Sequence, residues 1–351
     1  MQLDTLTSNI CFDDILLVPT QSSIDHRSDV DISTTFGNPN NPKAWRKLRV
    51  PFILAPMEFI TSHEMMLKIV SFGGMSFNHR FLPYEERLDQ IKLLLEQTEN
   101  SENVGFSMSY QDMEYGNYLD RVLESGVKTL LIDTSLGHTN FTIETVKQLR
   151  TMVSEEIHIM VGNVSSYSAY AKLMEAGADS IRVGIGGGAA CTTRVVTGFG
   201  VPVLSSVIDI YNKINKDGIN GLISDGAIKN NGDIVKALAA GASAVMMGSM
   251  FAGHEECIKS VDGSFIFRGL ASNEIQTETS GGNLENKVFH VEGVQGIINN
   301  KGKIIDTLTQ MEYNVKSGLS YCGSTNLSLL KTNAKFIIIS EACIGESRSR
   351  I

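Results

Sequence analysis

Eight short apolar runs, each closed by a turn or a polar cluster, constrain this chain more than any other feature of it. They are Phe52 to Pro56, Met75 to Phe77, Val104 to Met108, Thr129 to Ile132, Ile157 to Val161, Ser180 to Val183, Gly221 to Ile223 and Ala244 to Met247. Segments with helical spacing lie between them. Glu86 to Gln97 places Leu88, Ile91, Leu94 and Leu95 on one face, and Tyr167 to Glu175 and Asp233 to Ala239 read similarly. Several of these segments end at glycine and re-enter a strand, as at Glu175-Ala-Gly and Ala240-Gly, where glycine is the expected residue after a helix. Strand-then-helix units in series pair in parallel, and eight of them predict a closed α/β fold, the (β/α)8 or TIM barrel. An open doubly wound sheet is the alternative.

A barrel directs attention to the C-terminal ends of its strands, where active sites sit. The residues just past the runs are Met57-Glu58, Asn78-His79-Arg80, Asp133-Thr134-Ser135, Gly162-Asn163, Gly184 to Thr193, Ser224-Asp225-Gly226 and Gly248-Ser249. Polar residues and glycines cluster there. Three long segments fall outside the repeat: residues 1–50, about 255–304, and the tail after 330. We expect one catalytic domain over 1–351, with an N-terminal extension at about 1–50. The stretch at about 273–303, rich in Gly, Asn and Glu, reads as a mobile flap over the site.

Composition narrows the partners. The 351 residues are 42% hydrophobic and 20% charged, ordinary for a globular protein. A net charge of −9 lacks the basic footprint of a nucleic-acid binder. It leaves room for a phosphorylated small molecule, which backbone N–H groups at helix starts can hold. The five cysteines are widely spaced with no C-x-x-C pair, which fits reduced thiols in a cytoplasmic protein. The stretch from Met1 to Ile10 is polar and lacks the apolar core a signal peptide needs, and no run approaches the length needed to span a membrane.

The loop from Gly184 to Arg194 has glycine at 184, 186, 187 and 188, then Cys191-Thr192-Thr193. Such a loop brings backbone close to a ligand or ion, and the cysteine after it reads as a positioned nucleophile. Cys11, Cys257, Cys322 and Cys343 lack that setting and read as structural. The glycine turns after runs seven and eight are where barrels bind phosphate. Asp225 would repel a phosphate, so a ribose hydroxyl is its better partner. Asp133 is a candidate acceptor for a second ribose, His138 a candidate acid or base, and Glu292 the most interesting carboxylate of the flap.

Taken together these segments resemble the family of inosine monophosphate (IMP) dehydrogenases and guanosine monophosphate (GMP) reductases. The likeness runs from Phe12 to about Asn326. It rests on Phe12-Asp-Asp-Ile-Leu-Leu-Val-Pro, Ala55-Pro-Met, His79-Arg80, Asp133-Thr-Ser-Leu-Gly-His, Gly162-Asn-Val, Gly184-Ile-Gly, Cys191-Thr-Thr-Arg, Ser224-Asp-Gly and Gly248-Ser-Met-Phe-Ala-Gly-His-Glu-Glu. Within the family the chain looks closest to the reductases, those of Gram-positive bacteria in particular. It has no room for the regulatory CBS insert common in the dehydrogenases, and residues 273–303 lack their Arg-Tyr pair. It does carry Ala252 to Glu256 and Glu292-Gly293, which the reductases tend to share.

The resemblance implies reductive deamination of GMP to IMP and ammonia with NADPH, through a thioimidate on Cys191. Thr193 and Glu292 would serve the departing amine. Met57, Asp225, Gly226, Gly248, Ser249, Gly269 and Ser272 would bind the nucleotide. Asp133, Thr134, Ser135, Asn163 and Tyr321 would bind the cofactor. Carbonyls of Gly186, Gly188 and Cys191 would hold potassium, and the assembly would be a homotetramer. Alternatives are a dehydrogenase without the insert, taking IMP and NAD to xanthosine monophosphate, a reductase of a modified or deoxy purine nucleotide, and a non-enzymatic nucleotide binder. Departures from the family pattern fall at Gly187 (often proline), Ala189 (serine or lysine), Ala227 (glycine) and Glu58 (Asp or Gln).

Overall fold

Each of the eight apolar runs becomes a strand. In this computed structural model, which describes residues 9–214, 218–269 and 293–346, they are β1 (Phe52–Leu54), β2 (Ser76–Phe77), β3 (Val104–Met108), β4 (Thr129–Asp133), β5 (His158–Val164), β6 (Ser180–Val183), β7 (Leu222–Asp225) and β8 (Ala244–Met247). All pair in parallel, in the order β1-β8-β7-β6-β5-β4-β3-β2. A parallel bridge between Ile53 and Met75 joins β1 to β2 and closes the ring. The open-sheet alternative is excluded by that bridge, and the fold is a (β/α)8 barrel.

The helices follow their strands: α1 (His63–Ser71), α2 (Tyr84–Gln97), α3 (Tyr118–Glu124), α4 (Asn140–Met152), α5 (Tyr167–Glu175), α6 (Val203–Lys213), α7 (Asn231–Ala239) and α8 (Ile304–Ser320). Their buried stripes cover the barrel. In α2 these are Leu88, Ile91 and Leu94, as the spacing predicts, whereas Leu95 is only partly buried. Side chains of Ser62, Thr139, Ser166 and Asn230 cap α1, α4, α5 and α7 by accepting a backbone N–H of the first turn. Three strands outrun expectation. β4 runs on to Asp133, β5 continues through Gly162 and Asn163 by way of a register shift, and β7 runs on to Asp225. Glycine and polar residues at a strand end resemble a turn in sequence, but here the neighbouring strands keep them paired.

The segments outside the repeat also pair. Ile15–Leu17 lies antiparallel to Phe336–Ile338, and Phe265–Arg268 to Gln295–Ile298. Thr34–Phe36 and Arg46–Leu48 form a two-stranded pair at the N-terminal end of the barrel. There Arg46 donates to Thr129 Oγ1 and to the carbonyls of Lys128 and Glu156. The His158 ring bridges the Ala44 carbonyl and Ser180 Oγ at 2.7 Å each. Among the described residues no helix is long and apolar enough to cross a membrane.

Candidate functional site

Cys191 stands on the loop after β6, half-buried. Its backbone N–H returns to the Gly188 carbonyl at 3.0 Å, and its Sγ donates to Thr193 Oγ1 at 3.2 Å. Thr193 opens a short helix, Thr193–Thr197. The thiol therefore projects from a tight glycine turn with a hydroxyl beside it. Across from it the chain returns at Gly293, which forms an antiparallel bridge with Cys191. Val294 donates to the Ala190 carbonyl, and Gly269 donates to that of Val294. A Cβ on Gly269 would lie 2.8 Å from the Ala190 oxygen, so a side chain there would push this assembly apart. Gly269 is thus brought to the cysteine loop. Glu292 and Ser272 lie outside the described residues, as does most of the expected flap.

The loops after β7, β8 and β1 gather beside it. Ala227 N–H donates to the Gly187 carbonyl at 2.9 Å, tying the Asp225-Gly226-Ala227 turn to the cysteine loop. Met57 Sδ sits 2.7 Å from where a Cβ on Gly248 would be, so the methionine packs directly on the candidate phosphate turn. The next residue, Glu58, is ion-paired with Arg268. The Ser249 carbonyl accepts from Lys301 Nζ at 2.9 Å.

Val203 accounts for one of the sequence departures. A Cβ at Gly187 would meet Val203 Cγ2 at 2.5 Å and the Ala227 methyl at 3.5 Å. The first distance is a clash and the second an ordinary contact, so Val203 is what bars a side chain at 187. Ala227 carries backbone strain of its own, because it is held at φ 61°, a left-handed conformation that side chains disfavour.

The candidate cofactor residues lie round the ends of β4 and β5. Thr134 N–H donates to the Gly162 carbonyl, Asn163 N–H to that of Thr134, and Gly137 N–H to that of Asn163. Ser135 and His138 are exposed on this loop. Tyr321 stands elsewhere: it follows α8 and lines an apolar groove of about 450 Å³ with Leu17, Pro19, Val235 and Gly318.

The sequence reading missed three side chains here. Arg182, inside β6, bonds Asp133 Oδ1 at 2.6 Å and Asp225 Oδ2 at 2.9 and 3.0 Å. Burial alone would lower its pKa, but the two carboxylates outweigh that and raise it. A charged residue within so short an apolar run was the available signal. Tyr110 and Phe141 flank the Thr134 loop as an exposed edge-to-face pair with ring centres 4.4 Å apart. Such rings suit stacking against a flat heterocycle. His79 is buried, and burial, with Arg87 and Arg268 adding to it, pushes its pKa down to about 4. It is neutral near pH 7. In the reductase-like segment, His254 bonds Thr307 Oγ1 and Glu256 accepts from Ile304 N–H, so both hold the start of α8.

A family model described as "IMP dehydrogenase / GMP reductase domain" matches residues 9–350. The chain belongs to the IMP dehydrogenase / GMP reductase family. Its members are oxidoreductases of purine nucleotides that use nicotinamide cofactors. A GMP reductase of Lactobacillus johnsonii is 32% identical, over 95% of this chain and 96% of its own length. An IMP dehydrogenase of Borreliella burgdorferi is 30% identical, over 96% of both. An IMP dehydrogenase of Bacillus subtilis is 39% identical over 65% of this chain, which spans about half of that relative at 48%. Full-length family likeness therefore extends to proteins named for either reaction.

Proposed function

We propose that this protein is a GMP reductase: the Cys191 thiolate adds to C2 of the guanine base, ammonia leaves, and hydride arrives at the same carbon. The observation that carries this reading is the meeting of Cys191, Thr193 and Gly293, the residue that directly follows Glu292. Expulsion of an amine needs a proton on nitrogen as the C–N bond breaks, and Thr193 with Glu292 would deliver it. What remains is a thioimidate, electrophilic at C2. Asp133, Thr134, Ser135 and Asn163 would hold a reduced nicotinamide, the source of the hydride, and loss of the C–S bond would then release IMP and the thiolate. The exposed Tyr110–Phe141 pair and the hydroxyls of Thr134 and Ser135 fit such a cofactor. Tyr321, on its separate groove, would reach the cofactor of a neighbouring subunit in the homotetramer we propose.

On the nucleotide side, Asp225 would accept from ribose hydroxyls. The backbone of Gly226, Gly248, Ser249, Gly269 and Ser272 would hold the phosphate end, with Met57 beneath. Carbonyls of Gly186, Gly188 and Cys191 supply hard oxygen donors suited to a potassium ion, each with a lone pair free beside any backbone bond it makes. The absence of Arg and Tyr from residues 273–303 favours ammonia loss over activation of water.

The test is a steady-state assay of the purified chain. NADPH should be consumed with GMP, one ammonia being released per turnover. Reduction of NAD with IMP, without reductase turnover, would replace this reading with the dehydrogenase one.

A further inference from the structure

Arg182 occupies the middle of β6, between Ile181 and Val183, both fully buried. A charge is stable there only if it is paired. Its Nη1 reaches Asp133 Oδ1, while Nε and Nη2 converge on Asp225 Oδ2. Asn163 Nδ2 adds a third donor to that same oxygen at 2.7 Å. Among the described residues these donors all fall on Oδ2, so Oδ1 of Asp225 remains for a ligand hydroxyl. Asp133 Oδ2 faces Arg80 at 3.4 Å. The two carboxylates end β4 and β7, and the guanidinium spans the gap over β5.

We propose that Arg182 is a positioning residue that couples the nucleotide half of the site to the cofactor half, because one guanidinium is shared by Asp225 and Asp133. The inference rests on the proposed assignment of those aspartates to the two ligands. A hydroxyl donated to Asp225 supplies part of what that carboxylate takes from Arg182. The guanidinium then leans toward Asp133, which becomes a weaker acceptor for the second ligand. The same holds in reverse, since coupling between two binding equilibria is reciprocal. Arg182 therefore opposes over-tight binding of both ligands at once. Lysine could not share itself this way. Its ammonium is a compact charge on a flexible stem, without the planar fork that serves two carboxylates.

Calorimetric titration of the full chain tests this, with IMP as nucleotide and NADP+ as cofactor. The readout is the ratio of IMP affinities with and without saturating NADP+. Direct contact between the ligands contributes equally in wild type and variant, so the comparison isolates Arg182. Arg182→Lys should shift the ratio about fivefold toward cooperative binding, at the lower end of common coupling strengths. An unchanged ratio in a variant that still binds both ligands overturns the proposal. If Arg182→Lys does not fold, Asp133→Asn gives the answer. Freed of its competitor, Asp225 should hold Arg182 more fully, and IMP affinity without cofactor should fall several-fold; unchanged affinity overturns the proposal. The titrations are run in a Cys191→Ala background, in which IMP cannot pass a hydride to NADP+, so they read binding alone whichever direction the redox reaction takes. A wild-type chain that bound no purine nucleotide would sink the functional reading and this inference together. Normal binding with unchanged coupling would sink this inference alone.

Discussion

The side chain of Arg182 leaves β6 directly over Gly162: a Cβ on residue 162 would lie 2.4 Å from the arginine Cβ. Asp133, Gly162 and Arg182 are register partners across β4, β5 and β6, so the glycine opens the path by which arginine reaches aspartate. Gly162→Ala should close it. The expected cost is about 1–3 kcal/mol of stability, as for an overpacked core, read by chemical denaturation. Turnover should fall by more than the lost folded fraction, because Asp133 and Asp225 lose their common partner.

Cys191→Ala removes the sulfur and leaves the turn that carries it, since its backbone bond to Gly188 is untouched. Turnover should fall by more than about a thousandfold, while IMP binding measured by titration stays within a few-fold. Mass spectrometry of the wild-type chain trapped with nucleotide should place the adduct on Cys191. Unchanged turnover in the variant would rule out the covalent route.

Ala227→Gly should stabilise the protein. Relief of the left-handed alanine is worth about 1–2 kcal/mol, and glycine's greater freedom when unfolded offsets about 0.5–1 kcal/mol of that. The net gain of about 1 kcal/mol would show as a higher denaturation midpoint. A loss of stability would mean that the methyl's packing against the core outweighs the strain.

Stability should fall on acidification below about pH 6.5. His158 is completely buried, and desolvation pushes its pKa down to about 3, helped by nearby Arg46. The unfolded chain takes up a proton near 6.5 while the folded one does not, so the unfolded state gains as pH drops through that window. Asp179 contributes the opposite slope below pH 6, because burial raises its pKa to about 6 against the pull of Arg150. The check is therefore the difference between wild type and His158→Asn. The variant should lose stability at neutral pH but show a shallower decline between pH 6.5 and 4.

The barrel was legible because its strands are buried on both faces. Short apolar runs such as Ser180–Val183 and Ala244–Met247 need no knowledge of their partners to be seen. The cysteine loop was legible for a similar reason, since its glycines and hydroxyls are consecutive. Arg182 was hidden by the same logic that revealed β6: the run reads as apolar, and the two carboxylates that make its charge tolerable come from distant strands. Tyr110 lies in the turn after β3 and Phe141 in the first turn of α4, and only folding sets their rings together. The pairing of Ile15–Leu17 with Phe336–Ile338 was likewise invisible, because three-residue strands carry too little pattern to name a partner so far along the chain.

That last pairing gives synthesis a particular order. Within this sequence the Ile15–Leu17 segment is made long before its hydrogen-bonding partner, Phe336–Ile338. Until that partner emerges it is a short ribbon with an open edge, the kind of surface that invites pairing with another nascent chain. The folded molecule covers that edge with its own later residues.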